Sequence, residues 1–271
     1  MSFWQGGYNC RPSLVSQNKG LNLHFRIIQV PVNITIKIES IEDIEEVKMS
    51  FISKFKLILE WCDEKITLND LNDDEFLNIP SEDVMKKIWI PVVIFVNTEM
   101  KTETKIDDKS RMVVVKKGNY QLSSKADMEE IAYYRGSENP LKYWRDFFLR
   151  FSCLFNLQHY PFDSQVCTFL MKMPSKEKEF MRFIPRHVDY SGPLGLPEYV
   201  ITKIDMIAAT EEEDFDVKVR IFLKRRVSKQ IISTYIPSLC IQIIAQVNIQ
   251  QISFFGDFIF LSYAPEIRFD W

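Results

Sequence analysis

Histidine is scarce in this chain: His24, His159 and His187 are the only three in 271 residues, and they lie far apart, at no metal-ligand spacing with cysteine. A structural zinc site is therefore not expected, and no metal ligands are assigned. Lys and Arg are scattered rather than gathered into a stripe, and the net charge is -3, so there is no electrostatic footprint for nucleic acid. No Ser-His-Asp set, Gly-rich phosphate loop or paired metal ligands emerges; the expectation is a non-enzyme without a cofactor. Internal repeats and low-complexity tracts are absent too. The opening residues, Met1-Ser2-Phe3-Trp4-Gln5-Gly6-Gly7, lack the basic region and apolar run of a signal peptide, which points to a fragment, an incomplete gene product or a cytosolic chain.

What is present is a core-forming composition, 46% hydrophobic and only 26% charged. The length suits one large all-β domain or two ordinary ones. Val30, Val32, Ile34, Ile36 and Ile38 alternate with Pro31, Asn33, Thr35, Lys37 and Glu39, the period of a strand with one buried and one wet face. The pattern returns in Phe215, Val217, Val219, Ile221 and Leu223. Between these lie shorter apolar runs broken by turn signals such as Asn72-Asp73-Asp74, Lys117-Gly118-Asn119 and Ser191-Gly192-Pro193, which predicts a sandwich or barrel. Met49–Leu59 also fits a helix, since Phe51, Phe55 and Ile58 share that period.

After Lys224-Arg225-Arg226 the texture changes. Ile231–Val247 carries no charge over 17 residues, and extension through Gln251 approaches the ~20 that a membrane helix needs. Its glutamines leave a buried core helix as the competing reading. Of the five cysteines (Cys10, Cys62, Cys153, Cys167, Cys240) at least one must be free or bonded between chains, and composition does not say which pair. Cys153 and Cys167 enclose thirteen residues centred on Tyr160-Pro161-Phe162-Asp163, a proline turn between large aromatic anchors with a carboxylate at its tip.

Cys-x13-Cys around aromatic-Pro-x-Asp resembles the signature of the Cys-loop, pentameric ligand-gated ion channels. Other segments agree in order. Trp61-Cys62-Asp63 resembles the family's Trp-x-Asp, and Trp89-Ile90-Pro91 with Phe95 and Asn97 its Trp-x-Pro segment. Leu223–Arg226 followed by Thr234-Tyr235-Ile236-Pro237-Ser238 resembles the entry to its first membrane helix, in wording nearer the anion-selective branch and arthropod orphan subunits of it. The resemblance implies an all-β, immunoglobulin-like sandwich of about ten strands followed by one transmembrane helix. The expected organisation is an N-terminal segment 1–25, a ligand-binding domain 26–226, a first membrane helix 227–250 and an atypical tail 251–271. The tail, with ISFFGDFIFLSY, resembles no pore helix, so a truncated or mispredicted product is expected.

By the same resemblance Cys153 and Cys167 form a disulfide. The loop tip, His159, Tyr160, Pro161, Phe162 and Asp163, faces the membrane, and Arg225 meets acidic partners there, with Asp163 and the turn Glu42-Asp43-Ile44-Glu45-Glu46 between the first two strands as candidates, Asp43 and Glu45 singled out within it. Ligand-pocket positions fall on Pro174 and Lys176, where aromatics are usual, on Lys56 and Ile58, where an aromatic and an arginine are usual, and on Phe95 and Phe215. Val92 replaces the usual Asp after Trp-x-Pro. The implied partners are homologous subunits in a homo- or hetero-pentamer, the lipid membrane, and a small extracellular ligand: a transmitter, protons or a metal ion. The implied function is a plasma-membrane channel subunit, chloride-type, or alternatively a secreted or non-conducting binding protein of the same fold. Asn33-Ile34-Thr35 is a candidate glycosylation site.

Overall fold

The computed structural model describes residues 29–99, 102–103, 110–122, 132–210 and 213–248, with the backbone alone at 102, 103, 122 and 132. The expectations for segment 1–25, for Cys10 and His24, and for the tail 251–271 lie outside these residues.

Thirteen strands are described, numbered in chain order. One five-stranded sheet runs β11 (Met181–Tyr190), β1 (Val30–Glu45), β2 (Ser50–Trp61), β9 (Leu141–Ser152), β6 (Ser110–Val114). The other runs β12 (Tyr199–Ala208), β13 (Val217–Arg225), β10 (Ser164–Lys172), β4 (Ile94–Phe95), β5 (Thr102–Glu103). These are the expected ten strands of a sandwich; β3 (Thr67–Asn69), β8 (Ala132–Arg135) and β7 (Gln121–Leu122) form a small third sheet.

Alternation decides which side chains make the core. Val32, Ile34, Ile36 and Ile38 of β1 are fully buried, as are Val217, Val219 and Ile221 of β13. Between the sheets sits an aromatic cluster, in which Phe51, Phe55, Phe147 and Phe151 of the first sheet meet Phe95 and Phe169 of the second. Phe151 stacks on Phe169 with ring centroids 4.2 Å apart. Such pairs add to the burial energy of each ring.

The helical reading of Met49–Leu59 is overturned, because from Ser50 onward this is β2. Phe51 and Phe55, four apart, fit either period; Ile58 completed the helical pattern because it is buried on the opposite face of β2, where its register partner is Trp144. The turn between β1 and β2 is also later than read. β1 continues through Glu45, and the turn is Glu46–Met49.

After β13 the chain enters a helix, Val227–Asn248, of 22 residues and mean hydropathy 1.3. Ile232, Leu239, Ile241, Ile243 and Ile244 on it are exposed, which sets aside the core-helix alternative. A helix of this length, largely apolar and left uncovered by the described residues, fits lipid as its solvent. Its early turn Ile231–Tyr235 is π-helical, with the Ile236 N–H donating to the Ile231 carbonyl. Pro237, which has no N–H to give, follows at once.

Candidate functional site

The strand period that buries Val217, Val219, Ile221 and Leu223 carries one residue further, to Arg225, and buries it too. The same period on β10 turns Gln165, Cys167, Phe169 and Met171 inward and brings in Asp163 just ahead of the strand. Antiparallel register then aligns them: Ser164 pairs with Lys224, so Asp163 stands beside Arg225, while Tyr199 of β12 pairs with Arg225 from the other side. Three strands thus place an acid, a guanidinium and a phenol in one row.

The side chains of Arg225 and Asp163 are 1% and 2% exposed. Arg225 Nε donates to Asp163 Oδ1 at 2.5 Å and Nη2 to Oδ2 at 3.0 Å, a two-pronged pairing. Nη1 donates to Glu46 Oε1 at 2.5 Å, reaching the β1–β2 turn of the opposite sheet. The Tyr199 hydroxyl accepts from Arg225 Nη2 at 2.5 Å and donates to Glu46 at 2.7 Å. The guanidinium also lies over two rings, with its Cζ 4.8 Å from the Tyr160 centroid and 4.7 Å from that of Tyr199. Cation–π attraction of this kind strengthens as water is excluded.

Burial pushes the Asp163 carboxyl upward, but the hydrogen bonds from Arg225 and Gln165 and the charge of Arg225 outweigh it and hold the group below its ordinary value. Arg225, against its own desolvation, is held further toward the charged form by Asp163 and Glu46. Burial, then Glu46, push the Tyr199 hydroxyl up, so it stays protonated and available as a donor. An unpaired charge in such a place is costly, which makes the cluster a unit.

The disulfide expected between Cys153 and Cys167 is formed; it joins the end of β9 in one sheet to β10 in the other. Within its loop, Gln165 clasps Asn156 through both ends of its amide (2.8 Å each) and donates to Asp163. Asp163 is therefore not the exposed carboxylate of a loop tip. The exposed tip is apolar: Phe162 is 73% exposed, with Leu154 and Tyr160 beside it in the loop. His159 is exposed as well, and Pro161 is buried behind a cis bond to Tyr160.

Asp43 and Glu45 do not meet Arg225. A break in the β1–β2 register between Glu42 and Glu45, with Asp43 at positive φ, turns both toward Arg150, at 2.6 and 3.4 Å. Of the Glu42–Glu46 run it is Glu46 that reaches Arg225, beside the expected Asp163, and Tyr199 and Gln165 complete the cluster. Tyr199 was legible only through register.

A cleft of about 530 Å³ lies under the β12–β13 hairpin, lined by Met173, Arg182, Pro185, Thr210 and Phe215 among others. Several charges in and around it are paired at the surface. Lys178 bonds Asp216 at 2.9 Å, Lys172 bonds Asp214, and the Thr210 hydroxyl meets Glu213. The face of Phe215 already carries the Lys218 ammonium, 5.4 Å from the ring centroid.

Of the other sequence candidates, Phe95 is core, packed on Phe55 and Phe147, and is no pocket wall. Pro174 and Lys176 sit in the β10–β11 connection next to the cleft. Lys56 and Ile58 belong to the other sheet, where Lys56 pairs with Asp146 on β9 and Ile58 is buried. Trp61 and Pro91 are buried, whereas Trp89 is partly exposed. Asp63 accepts from the Lys65 N–H at 3.0 Å. Asn97 bonds the backbones of Ser152, Thr168 and Leu170 and so ties β9 to β10. Asn33, in mid-β1, accepts from Arg186 on β11 at 2.8 Å. Among the described residues no three His, Cys, Asp or Glu side chains gather to hold a metal ion.

The model of the neurotransmitter-gated ion-channel ligand binding domain matches residues 18–237. Similar proteins include a gamma-aminobutyric acid receptor subunit beta-like of Drosophila melanogaster, 23% identical over 80% of this chain and 43% of its own length. Gamma-aminobutyric acid receptor subunit beta-4 of Gallus gallus is 22% identical over 81% of this chain and 42% of its own length. An acetylcholine receptor subunit alpha-type des-2 of Caenorhabditis elegans is 23% identical over 80% and 38%. The chain thus spans less than half the length of these relatives. With a two-sheet sandwich, a disulfide loop at one end and an apolar helix directly after β13, this chain belongs to the neurotransmitter-gated ion-channel ligand-binding domain family, a family of receptor channels and not of enzymes.

Proposed function

We propose that this chain is a subunit, or part of one, of an extracellular ligand-gated channel of chloride type, in which occupation of subunit interfaces in a pentamer is passed to the membrane through the Arg225 cluster. The observation that carries the reading is the position of that cluster. It unites the disulfide loop (Asp163, Tyr160), the β1–β2 turn (Glu46) and β12 (Tyr199) on one guanidinium, two residues ahead of Val227 where the membrane helix starts. Displacement of any of these elements moves a buried charge away from its partner, so the cluster favours discrete arrangements. On this reading 26–226 is the ligand-binding domain, 227–250 the first membrane helix, and the domain faces the outside of the plasma membrane.

The ligand is proposed to differ from an ordinary amine or amino-acid transmitter. Cation–π capture of an ammonium needs an open aromatic face. Here Lys218 covers Phe215, Phe95 is in the core, and lysines stand where aromatics are usual. Lys56 and Ile58, on the first sheet, would meet the hairpin cleft only across a subunit boundary.

A chimera tests both parts. Residues 29–226 would replace the corresponding part of the Drosophila gamma-aminobutyric acid receptor subunit beta-like, and currents and surface expression would be recorded. The expected result is a surface-expressed channel insensitive to gamma-aminobutyric acid, whose response to any stimulus that opens it is lost in Arg225→Gln with expression retained. A normal micromolar gamma-aminobutyric acid response would sink the altered-pocket reading; intact gating in Arg225→Gln would sink the coupling role.

A further inference from the structure

A second cleft, about 560 Å³, lies where β1 begins and β2 ends, walled by the β3–β4 and β10–β11 connections and separate from the hairpin cleft. That volume is within the range of small-molecule sites. Trp61, Trp89 and Phe180 give it an aromatic lining. Trp61 is buried, whereas Trp89 and Phe180 are 39% and 58% exposed. Large aromatics left half open around a concavity mark a binding surface.

The charge of the lining is equally uneven. Asp63, Glu64 and Glu177 share it with Lys65 and Lys87, three acids to two lysines. Among the described residues none of these three carboxylates forms an ion pair. Elsewhere in the fold acids are answered: Asp43 by Arg150, Asp163 by Arg225 and Asp205 by Arg220. Asp63 and Glu177 instead accept backbone N–H groups, from Lys65 at 3.0 Å and from Val92 at 3.3 Å. Burial pushes the Glu177 carboxyl up, which a nearby cation would reverse. A third observation concerns Trp61, whose Nε1 is buried and finds no acceptor among the described residues. An indole N–H can only donate, and buried donors are normally satisfied, so this one is matched to a guest that brings an oxygen.

We propose that this cleft is a binding site for a small organic ammonium ion that carries a hydroxyl or carbonyl oxygen. Trp89 and Phe180 offer the cation their rings, Asp63 and Glu177 its counter-charge, and Trp61 a donor for its oxygen. Attraction of a cation to aromatic faces is greatest at tryptophan and strengthens as water is displaced. A metal ion suits the lining less well, because among the described residues no three His, Cys, Asp or Glu side chains gather to hold one. The inference does not depend on the channel reading, since it uses neither the hairpin cleft nor the Arg225 cluster.

Choline serves as the probe, and 3,3-dimethyl-1-butanol, which has its shape and hydroxyl without the charge, as the control. Isothermal titration calorimetry of the detergent-solubilised full chain should show saturable choline binding, with the alcohol severalfold weaker. No saturable choline heat, or equal affinity for the two, overturns the proposal. Hydroxyl-radical footprinting locates the site: saturating choline should lower oxidation of Trp89 and Phe180 severalfold and leave Tyr120 and Phe148, which are exposed outside the cleft, unchanged. Binding that leaves Trp89 and Phe180 unprotected overturns the proposal too. Choline affinity should fall severalfold in Trp89→Leu and in Glu177→Gln, whereas the alcohol should be affected by Trp89→Leu alone. Should Trp89→Leu fail to fold, Glu177→Gln decides by itself, because unchanged choline affinity there would remove the charge recognition.

Discussion

The two ends of the second sheet handle charge in opposite ways. At the membrane-proximal end, β12, β13 and β10 enclose one guanidinium among two carboxylates, a phenol and an aromatic face, with almost no solvent. Under the β12–β13 hairpin at the other end, Lys172, Lys178 and Lys218 find Asp214, Asp216 and Phe215 in contact with water. Buried pairs are costly to break, whereas wet pairs exchange for water or ligand at little cost. The difference teaches that the part of the chain built to resist change is the junction with the helix, and the part free to change is the pocket.

Breaking the junction should give the largest effects. Arg225→Ala leaves Asp163 buried and unpaired, and about 3–5 kcal/mol of stability should be lost in denaturant unfolding of the detergent-solubilised chain. A loss no greater than that of a surface substitution would contradict the burial. Replacing both Cys153 and Cys167 with Ser should cost about 3 kcal/mol, as expected for a closed loop of roughly 15 residues, read in the same assay without reductant.

Tyr199→Phe removes the hydroxyl that donates to Glu46 and accepts from Arg225. A hydrogen bond to a charged group predicts about 1.5–3 kcal/mol, and a double mutant with Glu46→Gln should lose less than the sum of the singles, since the two share partners. Additive losses would show that the cluster does not act as a unit.

Acid should separate the two halves of the comparison further. Asp163 is held below its ordinary value, so its contribution is complete above the ordinary carboxylate range and is lost as pH falls through the lowered value. Glu177, in the β10–β11 connection, is pushed up by burial, although the Val92 N–H bond opposes this. Its charged form therefore weakens the fold at neutral pH, and that penalty disappears as pH falls through the raised value. Glu177→Gln should raise the melting temperature at neutral pH and leave it unchanged in acid. A gain that persists in acid would assign the effect to packing instead.

The smallest effect is expected in the hairpin cleft. Lys172→Ala and Phe215→Ala should leave the melting temperature essentially unchanged while altering the response of the chimera to whatever opens it. A large drop in stability would mean that the cleft is structural, and the contrast with the junction would fail.

How much of this was legible in sequence varies with the physical rule involved. Two-residue periodicity marked β1 and β13 and correctly sorted their faces, because burial on one side forces alternation. The same rule, run one step past Leu223, would have declared Arg225 buried, and run back from Cys167 would have buried Asp163; the sequence reading instead set Asp163 at the tip of the loop. Met49–Leu59 was ambiguous because Ile58 is covered on the outer face of β2, where Trp144 is its register partner from β9, a neighbour 86 positions away in sequence. Which acid of the Glu42–Glu46 run reaches Arg225 was not legible, because a register break cannot be seen in a run of acids. The positive φ at Asp43 turned it and Glu45 to Arg150.

The sequence by itself determined the alternating strands, the apolar helix after β13 and the Cys153–Cys167 spacing, since each rests on neighbours along the chain. Only the tertiary structure decided which acid meets Arg225, that Phe95 belongs to the core and that Phe215 is already occupied. Those outcomes depend on strand register and on the approach of two sheets, which bring together residues such as Glu46 and Arg225 that local pattern never compares.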